Sequence, residues 1–157
     1  MDIKISKYIR IEKNTVWLNG EKVFSTESDV PADRFFKILY RHYGIKYMKF
    51  FKMDRLSKLG FLASEILIGG KNLTASCPNE KIGLILSNSN STIDIDRQYY
   101  DQIKDPDNYF PSPALFVYTL PNIMIGELCI KNKFKGESTA FIMKEYDPGF
   151  TVDYINH

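Results

Sequence analysis

Apolar and polar positions first alternate along the chain and then change period. Ile3, Ile5, Ile9 and Ile11 are interleaved with Lys and Arg, and Thr15 to Leu18 leads through Asn19-Gly20 into Lys22 to Phe24. A two-residue period predicts strands, and Asn-Gly supplies the positive-φ pair of a tight hairpin turn. From Ser28 the spacing becomes helical. Ser28-Asp29-Val30-Pro31 predicts a capped helix start with proline in the first turn. Phe35, Phe36, Leu39, Tyr40 and Tyr43 then recur on one face, and Gly44 takes the left-handed position that closes the helix. A second amphipathic helix is predicted over Asp54 to Ile68, with Leu56, Leu59, Leu62, Ile66 and Leu67 in one stripe and Gly69-Gly70 at its end.

The run Lys81 to Ser87 is continuously apolar at its centre, which predicts a strand buried on both faces of a parallel sheet. A polar loop to Thr92 follows, then a helix over Ile93 to Ile103, broken by Asp105-Pro106-Asp107. Pro111-Ser112-Pro113 opens a short apolar segment, Ala114 to Leu120, which Pro121 interrupts. Asn122 is placed to cap a helix over Ile123 to Phe134 that stops at Gly136. A strand over Thr139 to Met143 comes next, then an Asp147-Pro148-Gly149 turn and a helix barely begun over Phe150 to Asn156. Strands alternating with helices predict an α/β fold, a layered and mostly parallel sheet with packed helices and right-handed crossovers. Neither an internal repeat nor a linker divides residues 1–157, so a single domain is expected. Its last unit is cut short, and a further helix and strand past His157 are expected.

Composition narrows the class. The 157 residues are 44% hydrophobic and 25% charged, with ten Tyr and eleven Phe, which suits an aromatic-rich globular core rather than a disordered chain. The N-terminal residues lack the apolar stretch of a secretion signal, and no run approaches the roughly 20 residues that cross a bilayer, so a cytoplasmic protein without a membrane span is expected. Cys77 and Cys129 lack metal or redox spacing and read as reduced structural thiols; no metal or cofactor is expected. His42 reads as a histidine without a chemical role. Residues 1–60 hold 13 Lys and Arg against seven Asp and Glu, and the remainder eight against 12. Nucleic-acid readout motifs are missing beside that basic excess, so an acidic protein is the expected partner.

Two segments go beyond fold class. Lys52-Met-Asp-Arg-Leu-Ser-Lys-Leu-Gly-Phe-Leu-Ala-Ser-Glu-Ile-Leu67 resembles the β-ketoacyl synthase helix that begins with a basic residue and Met-Asp-Arg and runs to Glu-Ala-Leu. Pro113-Ala-Leu-Phe-Val-Tyr-Thr-Leu-Pro-Asn-Ile-Met-Ile-Gly-Glu-Leu-Cys-Ile130, closing with Lys135-Gly136, is similar to the family's Pro-Asn helix and the Gly-Pro-Asn before its nucleophile strand. The strand from Lys81 falls where the family has a Val-Gly-Val-type strand and a glycine-rich turn. The likeness spans nearly the whole chain, but only the N-terminal half of the thiolase-like fold.

The resemblance implies a place in fatty-acid or polyketide chain elongation, where the family joins an acyl group to malonyl units on acyl carrier protein. Condensation needs a cysteine thiolate at a helix N-terminus, activated by the dipole and backbone N–H groups. Counting from Gly136, that position falls at or near Glu145, with no cysteine in reach. Cys129 sits inside a helix and Cys77 in a polar loop. The family's two catalytic histidines belong to the absent half, and His42 and His157 match neither. The resemblance therefore implies a half domain inactive alone, partnered with a full-length synthase or with itself as an oligomer. Its basic residues Arg41, Lys46, Lys49, Lys52, Arg55 and Lys58 are candidates to meet carrier protein, with Lys49, Lys52 and Arg55 foremost. Two alternatives stand beside this: a contributor to a composite ketosynthase active site, and an acyl-binding or carrier-binding module with a pocket around Phe116, Met124 and Met143.

Overall fold

A computed structural model describes residues 3–156. The architecture is mixed α/β, with two small sheets and six helices among the described residues. Strands β1 (Ile9–Glu12), β2 (Thr15–Leu18) and β3 (Glu21–Ser25) form an antiparallel meander. Both turns are two residues long and lie at positive φ, Lys13-Asn14 as well as Asn19-Gly20. Sequence reading found the second turn and missed the first, because Lys-Asn is a weak turn signal. Ile3 and Ile5, expected in a strand, precede β1 and are exposed.

The expected mostly parallel sheet is corrected. Parallel pairing is confined to β4 (Leu84–Asn88) and β5 (Ser138–Ile142), which run side by side from Leu84 opposite Ser138 to Asn88 opposite Ile142. Nor is β4 buried on both faces, since Ile85 is exposed and no strand pairs with its other edge among the described residues. Helices flank this ladder. Helix α5 (Ile123–Asn132) packs on β4 and β5, and α6 (Pro148–Asn156) covers Phe141 and Thr139 through Phe150 and Tyr154. Helix α6 is nine residues long rather than barely begun, and the Asp147 carboxylate caps it by accepting the Phe150 N–H at 3.0 Å.

Helix α1 (Ala32–His42) buries Phe35, Phe36, Leu39 and Tyr40, the face its spacing predicts. Its start differs from expectation: Pro31 is the N-cap and no side chain caps it. Its end agrees, with Gly44 at φ +61° and the Ile45 N–H bonded to the Tyr40 carbonyl. Helix α2 (Arg55–Ile68) is capped by Asp54, whose carboxylate accepts the Leu56 and Ser57 N–H groups. Its buried face is Ser57, Phe61, Leu62 and Ile66, while Leu56, Leu59 and Leu67 sit at the margin of the predicted stripe. Helix α3 (Ile93–Ile103) has the predicted bounds, and α4 (Pro113–Val117) is capped by Ser112. Helix α5 ends at Asn132 with Lys133 in the left-handed region, earlier than expected, and Asn122 gives it no side-chain cap.

One core joins these parts. Phe50 and Phe61 are almost fully buried, with Tyr40 stacked on Phe50 at 4.5 Å and Tyr47 on Phe61 at 5.2 Å. Leu39, Leu62 and Val16 close it from α1, α2 and the meander, and Ile95, Tyr118 and Leu128 extend it toward α3, α4 and α5. The Ser57 hydroxyl is buried there with no hydrogen-bond partner. A lone buried hydroxyl forfeits its hydration, and alanine is the better helix former. Ser57→Ala is therefore expected to raise stability by roughly 0.5–1 kcal/mol, read as a higher denaturation midpoint; a clear loss would show that the hydroxyl has a partner in solution.

Candidate functional site

The basic residues lie on three consecutive elements, α1, the 3₁₀ turn Met48–Lys52 and the start of α2, and Lys52, Arg55 and Lys58 line one cleft. Residues 31–60 hold eight Lys and Arg against Asp33 and Asp54 alone, so the basic excess of the first 60 residues is concentrated here. Both carboxylates are engaged. Asp33 accepts from Arg55 Nη2 at 3.0 Å and Nε at 3.3 Å, and Asp54 caps α2. The hydrogen bond from Arg55 holds the Asp33 carboxyl below its usual range and raises the guanidinium in turn. Sequence reading missed Arg34 and Lys37. With Arg41 they form the exposed stripe of α1, at three- and four-residue spacing opposite Phe35, Phe36 and Leu39, and that periodicity was available in the sequence.

Lys49 and Lys52, paired in the sequence reading, differ in the structure. Lys52 is exposed and has no ion pair among the described residues. Lys49 places its ammonium 2.8 Å from Oε1 of Glu127, a carboxylate on α5 that is 3% exposed. Tyr118 donates to the same oxygen at 3.4 Å, and Tyr47 donates to the other at 3.4 Å. The hydrogen bond to Glu127 pushes the Lys49 ammonium up. Burial, then the Glu127 charge, pushes the Tyr118 phenol far above its ordinary value, and the same causes raise Tyr47. Burial alone raises Tyr43. Beside these groups Met48 is 80% exposed and Phe51 is also exposed, so apolar side chains stand between lysines on the surface.

Raised phenol and ammonium pKa values fix the sign of the alkaline response. Below the unfolded values, near 10 for tyrosine and 10.5 for lysine, the stabilisation is fully present; it is lost as pH rises through the raised folded values. Native protein is expected to ionise fewer tyrosines than unfolded protein at a given alkaline pH, as read by phenolate absorbance. Tyr118→Phe is expected to leave the ordinary tyrosine step near pH 10 unchanged and to remove only the last-titrating group; a loss of amplitude in the ordinary step would place Tyr118 in water.

A cleft of about 890 Å³ adjoins this surface. One wall is α1, the end of the 3₁₀ turn at Lys52, and α2 with Arg55 and Lys58; the other is the end of β4 at Asn88 and the loop after it with Asn90 and Ser91, together with α3 and α4. Phe36, Met53, Ile95, Leu115 and Tyr118 give it an apolar floor. It lies off the carboxyl end of β4, the position at which α/β sheets commonly receive ligands.

The remaining candidates lie apart from the cleft lining. Glu145 is exposed in the connection from β5 to α6. Cys129 is half-buried within α5 and Cys77 half-buried in the loop before Lys81, both as free thiols. The His42 ring is 4.5 Å from Phe24 and 4.9 Å from Tyr43. Phe116 is exposed beside Tyr99, and Met124 is buried against Gly60. His157 lies outside the described residues. Among the described residues no cluster of His, Cys, Asp and Glu could hold a metal ion, and no helix is long and apolar enough to cross a membrane. Compared with known proteins, the chain matches no family model, no curated protein and no solved structure.

Proposed function

We propose that this chain is a β-ketoacyl-synthase-like half domain that acts as a non-catalytic partner in acyl chain elongation, docking acyl carrier protein through its basic surface. The β4–β5 ladder, packed by α5 and α6, is read as a fragment of the thiolase-like layered sheet. One observation carries the reading. The strand-to-helix junction between β5 and α6, where the resemblance places the nucleophile, holds Lys144-Glu145-Tyr146-Asp147. A carboxylate there cannot form the thioester that condensation passes through. Cys77 and Cys129 stand in other elements, without a helix start to activate either.

Carrier docking is supported by chemistry of the surface: Lys46 and Lys52 are exposed, and Met48 and Phe51 offer apolar contact between them. Such a surface complements an acidic helix with an apolar stripe. The test leaves Lys49 in place, because that side chain also neutralises Glu127. Lys46→Glu with Lys52→Glu is expected to weaken binding to an acidic acyl carrier protein about tenfold, with a shallower salt dependence. Equal affinity for both proteins would remove the docking reading.

A further inference from the structure

The chain carries a second unusual surface, opposite in charge to the first. From the end of α3 to Phe110 the backbone makes a compact knob: Asp105 caps the 3₁₀ turn Pro106–Asn108, and the Phe110 N–H returns to the Gln102 carbonyl. Ser112 donates its N–H to the Gln102 side chain at 2.9 Å, which fixes the knob to the start of α4. Tyr100, Tyr109 and Phe110 all project into solvent, Phe110 at 77% exposure. Residues 94–107 hold five aspartates against Arg97 and Lys104. Lys104 and Asp101 neutralise each other at 2.7 Å and Asp94 faces the cleft, so Asp105 and Asp107 beside Tyr109 and Phe110 form the acidic rim.

Three aromatics left in water within 11 residues cost free energy that a partner recovers. The acidic rim defines the partner as basic. Such a counterpart is on the same molecule, the segment from Arg41 to Lys52, where Arg41, Lys46 and Lys52 are exposed and Met48 and Phe51 stand exposed between the cations along the chain. Each surface thus pairs apolar centre with charged rim, and the rims are opposite in sign.

We propose that copies of this chain associate, the acidic aromatic knob of one seated on the basic surface of the next. The contact pairs unlike patches, so it either closes reciprocally as a twofold dimer or propagates into rings and short chains. It is small, at the low end of interface sizes, and dissociates as salt screens the rims. This inference does not rest on the synthase reading. The basic surface serves one occupant at a time, so an acidic protein docked there breaks the association of copies.

Sedimentation velocity of the purified protein tests it. Average mass is expected to rise with concentration at low ionic strength and to fall to the monomer in roughly 0.5 M salt. Lys46→Glu/Lys52→Glu spoils the basic surface and Phe110→Asp spoils the knob; each variant alone is expected to stay monomeric. Mixed, they are expected to form a heterodimer and nothing larger, because one intact knob meets one intact basic surface and the other ends repel. All three changes are at exposed positions, and circular dichroism confirms that each variant is folded. A wild-type monomer at every concentration in low salt would overturn the proposal. So would self-association that either variant leaves intact, or a mixture that stays monomeric.

Discussion

Replacing Lys49 by alanine is expected to lower stability by about 3 kcal/mol, far more than the loss of a surface lysine. The reason lies at the other end of its ion pair. Glu127 is 3% exposed on α5, and the Lys49 ammonium at 2.8 Å is its cationic partner. Removing one member of a buried pair leaves an uncompensated charge, which costs on the order of 3–5 kcal/mol; the low end applies because Lys49 is itself half exposed and partly screened. The tyrosine hydroxyls at 3.4 Å are too distant to make up the difference. Adding Glu127→Gln to Lys49→Ala is expected to recover much of the loss, since the amide carries no charge, accepts from one tyrosine through its oxygen and donates to the other hydroxyl through its NH2. Denaturant midpoints with unchanged slopes measure both effects. A Lys49→Ala cost below about 0.5 kcal/mol, ordinary for surface substitutions, would mean that water reaches Glu127.

Gly60→Val is expected to destabilise by about 3 kcal/mol. A Cβ at this position would lie 2.0 Å from Met124 Sδ and 2.9 Å from its Cε, well inside contact distance. Met124 is buried, so its flexible thioether must leave a packed position to make room. Alanine is a milder case, because the gain in helix propensity of about 1 kcal/mol offsets part of the clash. Valine adds two further methyl groups and a stiff χ1, so Met124 leaves its rotamer and the packing around it is strained. Trimming the partner should show the cause: Met124→Ala is expected to be less damaging in the Gly60→Val background than in the wild type. Additive costs would indicate that Gly60 and Met124 do not meet. Helices α2 and α5 contain the two segments on which the synthase resemblance rests, so this contact also fixes their relation to each other.

Elements set by local signals were legible in the sequence. The Asn19-Gly20 turn, the buried face of α1, the Gly44 cap and the bounds of α3 follow from turn chemistry and helical period. Pairing of distant strands was not legible, because an apolar run such as Ile82 to Leu86 carries no record of how many strands will flank it. The basic surface was visible as composition, but its organisation was not. Nothing local to Lys49 announces Glu127, 78 positions away on another helix, and so a half-exposed lysine read as free for docking turns out to be paired with a buried carboxylate. Asp33 and Arg55 are likewise 22 positions apart. Arg34 and Lys37 are a different case: with Arg41 they recur at three- and four-residue spacing opposite the apolar face of α1, a pattern the sequence itself carries.

The proposed role depends most directly on the lack of a reactive thiol at the β5–α6 junction. Purified chain is therefore to be incubated with acyl and malonyl thioesters of carrier protein, with the ketoacyl product and any acyl adduct on the protein followed by mass spectrometry. No ketoacyl product and no adduct on Cys77 or Cys129 are expected, whereas a ketoacyl product that disappears when either cysteine is changed to alanine would contradict the account.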